Sequence, residues 1–251
     1  MHNRYLIVTT LVPAIFLPCM AIAIEPRPDL NDAALSSQEL AIPEPLVFDL
    51  VRPLGSPKGE LEMNIFANHI GNAKDFAWSP EFEYAFADGY ALELELPFEN
   101  STLKEYKLGL QGTIGTLLNE RMIHGWQAIG RRAQSRKVYS GDLLYINGLR
   151  LSDQWSVMNM VGFRKTEFNN QGEWVKLINT SLFYQHSSQL TLGVELNNEI
   201  SQRHEWRYRL TPQLHYSFSH NKAIQIGGGP SRLTENRKAE WLLSTRFIYS
   251  F

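Results

Sequence analysis

Along most of this chain apolar and polar residues alternate one by one. In the final segment Trp241, Leu243, Thr245, Phe247, Tyr249 and Phe251 share one parity, and Glu240, Leu242, Ser244, Arg246, Ile248 and Ser250 the other. Successive side chains of a strand point to opposite faces, so this spacing predicts a strand with one aromatic-rich face and one mainly polar face. The same period sets Phe76, Trp78, Phe82, Tyr84 and Phe86 against Ala77, Ser79, Glu81, Glu83 and Ala85. Asp88-Gly89 then reads as a tight hairpin turn. Beyond it Tyr90, Leu92, Leu94, Leu96 and Phe98 oppose Ala91, Glu93, Glu95 and Pro97. Further on, Trp206, Tyr208, Leu210, Leu214, Tyr216 and Phe218 oppose Arg207, Arg209, Gln213 and His215.

Alternation and turn signals together predict about twelve strands. They cover roughly 59–67, 76–87, 90–98, 105–117, 121–132, 137–150, 154–168, 173–186, 189–198, 205–219, 222–229 and 239–251. The periodicity of 118–133 is mixed and leaves room for a short helix. Gly227-Gly228-Gly229-Pro230 predicts an early end to its strand. Connections at Asp88-Gly89, Ser152-Asp153, Ser187-Ser188 and Asn221 are short, and those between them mostly longer.

Aromatics at both ends of so many apolar faces match the two interfacial girdles of a bilayer, which a soluble sheet has no need of. The expected fold is therefore all-β: a transmembrane, antiparallel, up-and-down barrel over 58–251. Composition is consistent with this. Mean hydropathy is only -0.26, and after the N-terminus no apolar run is long enough for a membrane helix. A barrel averages lipid-facing and lumen-facing residues and so looks mild. The net charge of -2 offers no field for nucleic acid.

The N-terminus sets the compartment. Residues 1–23 carry Arg4, an apolar run interrupted by Pro13 and Pro18, and Ala21-Ile22-Ala23, which together read as a cleaved signal peptide. The one cysteine, Cys19, falls inside it and lacks the small preceding residue of a lipobox. Residues 24–57 hold six of the twelve prolines and little alternation, and are read as a Pro-rich periplasmic extension, either disordered or partly packed in the barrel mouth. The expected location is the outer membrane of a Gram-negative bacterium, as a monomer in contact with outer-membrane lipid. The aromatic C-terminal strand, with Phe247, Tyr249 and Phe251, is the expected signal to the barrel assembly machinery.

Candidate chemistry is sparse. On this register Glu62, Glu81, Glu83, Glu93 and Glu95 form an inward acidic block, and Arg207, Arg209 and Arg246 a basic one. Closure brings first and last strands together, so the blocks become either a selective constriction or a network that fills a narrow barrel. His186-Ser187-Ser188 is the most suggestive Ser-His cluster, but it falls at a turn and no G-x-S-x-G elbow is present. His69, His124, His186, His204, His215 and His220 have no metal-ligand spacing. No enzyme, catalytic residue, cofactor or metal is expected.

Several stretches carry a family likeness: Leu50-Val51-Arg52-Pro53-Leu54-Gly55, Lys58-Gly59-Glu60-Leu61-Glu62, Glu81-Phe82-Glu83-Tyr84, Leu92-Glu93-Leu94-Glu95-Leu96-Pro97, and the final strand. They resemble outer-membrane barrels related to the proposed transporters of phenol meta-pathway degradation clusters. The resemblance implies passive transport of a small, organic solute, and supplies no binding residue. The expected function is a channel for such a solute. The alternatives are a closed structural or envelope-interaction barrel and, behind it, a lipid-modifying outer-membrane enzyme.

Overall fold

The structure, a computed structural model, describes residues 40, 42–70, 75–169, 171–203, 205–232 and 238–251. The signal segment 1–23 and residues 24–39 lie outside the described residues. Twelve long strands make a closed antiparallel barrel: β1 Leu61–Ile70, β2 Phe76–Ala87, β3 Tyr90–Glu95, β4 Glu105–Leu117, β5 Met122–Ala133, β6 Tyr139–Arg150, β7 Trp155–Lys165, β8 Trp174–Gln185, β9 Leu190–Ile200, β10 Trp206–Ser219, β11 Lys222–Ser231 and β12 Glu240–Ser250. Each strand pairs with the next, and β12 returns to β1 from Glu62↔Ser250 to Ile70↔Leu242. A small hairpin, Phe98–Glu99 with Thr102–Leu103, pairs with the start of β2 at Ala77 and Trp78. Turns 88–89, 118–121, 151–154, 186–189 and 220–221 lie at the end where β1 starts and β12 stops; the longer connections lie at the other.

Closure leaves no strand edge unpaired, as a lipid environment requires. The outward face is apolar in its middle band, with Leu108, Leu143, Val161 and Leu243 exposed. Phe76, Tyr106, Tyr139, Trp174, Trp206 and Trp241 ring the long-loop end, and Phe86, Tyr90, Trp155, Phe218 and Phe251 the short-turn end. Phe247 and Phe251 are both exposed on the outer face of β12.

Local chemistry explains three departures from the alternation. In 118–133 there is a turn and a strand, and no helix: Leu118, Asn119 and Glu120 all have positive φ (56°, 53°, 63°), which a right-handed helix excludes. β3 stops at Glu95, but Leu96 N–H still bonds the Pro80 carbonyl in register and pairing with β2 resumes at Trp78↔Phe98, the break falling where Pro80 and Pro97 have no N–H to give. β11 runs on through Gly227-Gly228-Gly229-Pro230 to Ser231. There the missing Cβ of Gly229 lets the Leu210 carbonyl close in. Pro212 and Pro230 lack N–H groups, and pairing skips from Arg209↔Ser231 to Gln213↔Gly227.

The buried core lies inside the barrel. It consists of Ile123 and Ile129 of β5, Leu144 and Ile146 of β6, Met158 and Met160 of β7, and Val175, Leu177 and Phe183 of β8, closed over Ile42, Phe48, Leu50 and Leu54 from the segment before β1.

Candidate functional site

Residues 40–57 occupy the lumen as an open loop. Ile42 lies against Gly148, near the short-turn end of β6. The chain climbs past Glu44 and Leu46 to an apex at Asp49, among Lys107 and Arg131 near the long-loop ends of β4 and β5. It then descends to Ser56, whose carbonyl accepts from Gly89 N–H in the first short turn. Leu46 and Val51 are completely buried.

An extended segment with no ladder partner must satisfy its peptide groups elsewhere. Here side chains of the wall take that role. Gln213 accepts from Leu46 N–H (2.9 Å), Glu195 from Val47 N–H (3.0 Å), Gln127 from Val51 N–H (2.9 Å) and Thr113 from Gly55 N–H (2.9 Å). In return Gln111 donates to the Arg52 carbonyl (2.6 Å), Gln127 to that of Asp49 and Gln225 to that of Glu44 (3.2 Å). An amide side chain offers both a donor and an acceptor, so each inward glutamine can stand in for a peptide of a neighbouring strand. Glycines make the room: a Cβ on Gly109 would strike Val51, and one on Gly148 would stand 2.7 Å from Ile42.

The charged side chains form a network between wall and loop. Arg52 of the loop reaches Glu60 (2.8 Å), Glu62 (3.3 Å) and Glu83 (3.6 Å). Lys107 pairs with Glu93 (3.0 Å), with Glu95 and with Asp49 of the loop. Arg131 joins Asp49 to Asp142 (2.9 Å each), and Arg164 continues to Asp142 (3.0 Å) and Glu199 (2.8 Å). Burial pushes the Asp49 carboxyl up, but Lys107 and then Arg131 outweigh it and hold it at about 2. Asp49 is therefore an anion at any physiological pH.

Of the residues singled out in the sequence, Glu81, Glu83, Glu93, Glu95, Arg209 and Arg246 are buried inside. Arg246 lies 3.8 Å from Glu81 and 4.0 Å from Glu44 of the loop. Arg209 bonds Asn68 (3.2 Å) and Ser244, and Arg207 sits half-exposed at the rim beside Glu205 (3.7 Å); neither forms an ion pair with the four glutamates. Those glutamates instead meet Arg52, Lys107 and Arg246. Arg52, Lys107 and the four glutamines escaped the sequence reading. A run such as Pro45-Leu46-Val47-Phe48-Asp49-Leu50-Val51 between prolines, too apolar for a leader in water, was the available signal. Ser187 is spent on its own turn, where its hydroxyl accepts from Gln189 and Leu190 N–H.

What the loop leaves open is a cavity of about 110 Å³ beyond its apex. Leu144, Met160 and Leu177 line one side, and Asp142, Arg164, Asn197 and Glu199 the other.

A family model described as HAEPLYID-like matches residues 39–116, which include the loop and β1 to β4. No curated protein matches the sequence. Solved structures do resemble the fold. The NanC porin superposes with a TM-score of 0.62 at 10% identity, covering 75% of this chain and 98% of its own. The KdgM porin gives 0.59 at 11% identity, covering 76% and 99%. A COG4313 outer membrane channel from Pseudomonas putida F1 gives 0.58 at 12% identity, covering 79% and 97%.

Proposed function

We propose that this protein is an outer-membrane channel for a small amphipathic solute, shut in the described state by residues 40–57 and conducting when that loop moves aside. The observation that carries the reading is the pair of walls around the loop. β5 to β8 present most of the aliphatic and thioether side chains, interrupted by Gln127, Arg131, Asp142 and Arg164, and the remaining strands present mainly carboxylates, guanidiniums and amides. A lumen vacated by the loop would bind an organic body on one side and orient polar groups on the other. The cavity beyond the apex already has this two-sided lining. The likeness to porin and channel folds supports the class. The resemblance to barrels of phenol-degradation clusters supports an organic solute. In this reading Glu81, Glu83, Glu93, Glu95, Arg207, Arg209 and Arg246 bias which charges pass once the lumen is open.

The test is conductance in a planar bilayer, full chain against a variant lacking residues 40–57. Rare openings in the first and a steady, salt-dependent conductance in the second are expected. A folded loopless barrel that stays silent overturns the channel. One observation favours a closed structural barrel instead: the loop is held by main-chain bonds, ion pairs and apolar packing all at once. Silence in both proteins is the result that reading requires.

A further inference from the structure

Where the loop crosses β1 and β2, acids outnumber bases. Glu62 of β1 and Glu81 and Glu83 of β2 are buried, and the side chain of Glu44 of the loop is 10% exposed. The bases within reach are Arg52, at 3.3 Å from Glu62 and 3.6 Å from Glu83, and Arg246, at 4.0 Å from Glu44 and 3.8 Å from Glu81. Four carboxylates thus share two guanidiniums, and Arg52 is shared again with the more exposed Glu60 (2.8 Å). With Glu60 counted, carboxylates outnumber guanidiniums by three. Uncompensated charge in such a site costs several kcal/mol per ion, so something must neutralise it.

The geometry of the excess is that of a cation site. One carboxylate oxygen from each of Glu44, Glu62 and Glu83 lies within 4.8 Å of the other two. Calcium binds oxygen at about 2.3–2.6 Å, so two oxygens on one ion can be at most about 5 Å apart. Independently, three oxygens here have no hydrogen-bond partner: Glu62 Oε1, Glu83 Oε2 and Asn64 Oδ1. Asn64 is almost fully buried, and its Nδ2 donates to Glu83 Oε1 at 2.6 Å, which holds the amide against the cluster and leaves its oxygen free. A buried acceptor left unpaired costs about 1–3 kcal/mol. We propose that Glu44, Glu62 and Glu83, with the Asn64 side-chain oxygen, bind a hard divalent cation, Ca2+ by donor set, that fastens the loop to β1 and β2.

One divalent ion offsets two of the three excess carboxylates, and Glu60, the more exposed one, keeps its pairing with Arg52. The donors are all oxygen, which selects Ca2+ or Mg2+ over thiophilic metals. The second acidic trio in the lumen is a useful contrast. Asp49, Glu93 and Glu95 converge equally closely, but the Lys107 ammonium sits among them and pairs with all three. There the protein supplies its own cation. At Glu44, Glu62 and Glu83 the Arg52 guanidinium lies 3.3 Å from Glu62 Oε2 and a longer 3.6 Å from Glu83 Oε2, and Glu62 Oε1 accepts no hydrogen bond. The site joins the loop to the wall, so its ion sets how firmly the lumen is shut; the binding itself stands whether or not the barrel conducts.

The experiment is calorimetric titration of the chelator-treated, refolded full chain with Ca2+ alone, followed by thermal unfolding with and without the ion. One Ca2+ per chain is expected, with an upward shift of the unfolding temperature that EDTA reverses. Glu62→Gln should weaken binding at least tenfold, while Asp153→Asn, in an exposed turn, should leave it unchanged. Absence of saturable Ca2+ binding to the wild-type barrel overturns the proposal without recourse to any variant. So does full-strength binding by a Glu62→Gln protein that still shows heat-modifiable migration.

Discussion

The two walls of the lumen hold the same loop by different physics. The wall of β1 to β4 and β9 to β12 uses directed bonds: Gln111, Gln213 and Gln225 to peptide groups, and Lys107 and Arg246 to loop carboxylates. The wall of β5 to β8 relies mainly on shape, with Ile146, Met158, Met160 and Phe183 buried against Ile42 and Phe48, and adds directed bonds from Gln127 and Arg131 of β5. Directed bonds specify register and fail abruptly when a partner is lost. Dispersion and apolar burial tolerate small changes and scale with volume. A loop that must stay seated and yet be movable gains its address from the first wall and its adhesion from the second.

The largest effect should come from Lys107→Met, which strands Asp49, Glu93 and Glu95 together. Removing one partner from a buried ionic cluster costs about 3–5 kcal/mol. The expected result is a lower denaturant midpoint and a loop apex that becomes open to protease. Gly148→Val tests the shape wall. It drives a side chain into the space of Ile42, at a cost of about 1–3 kcal/mol for overpacking. The barrel should still fold and migrate normally while conductance rises, because the strain falls on the loop and not on the ladder. Gln127→Leu keeps the volume but removes the partners of Val51 N–H and the Asp49 carbonyl, at about 1–3 kcal/mol per buried group left unpaired. It should also free the loop, measured by faster proteolysis. Ile146→Val should cost about 0.5–1.5 kcal/mol, with conductance unchanged. Arg207→Ala, at the half-exposed rim, should cost less than about 1 kcal/mol. If Ile146→Val opened the barrel and Lys107→Met did not, the assignment of the two walls would be reversed.

The outer half of every strand could be read from the sequence, and so could the charged half of the lumen. The apolar wall could not, because β6 and β7 carry Leu143-Leu144-Tyr145-Ile146 and Met158-Asn159-Met160-Val161, apolar on both faces. Alternation vanishes where both sides of a strand avoid water. Reading the lumen of a barrel as uniformly polar misses that possibility. In the acidic trio Glu62 and Glu83 could be read as inward from their strands, but Glu44 could not, because it reaches them from the loop before β1.

By itself the sequence determined the strand period, the positions of the turns and which residues face lipid. These depend on neighbours one and two residues apart, a distance at which pleat and turn geometry act. Tertiary structure alone decided what fills the lumen. Leu46 meets Gln213 across 167 positions, Val51 meets Gln127 across 76, and Arg246 meets Pro45 across 201. Such contacts exist only after closure has set twelve inward faces around one axis. Until then a proline-spaced apolar segment has no surface to bury itself against.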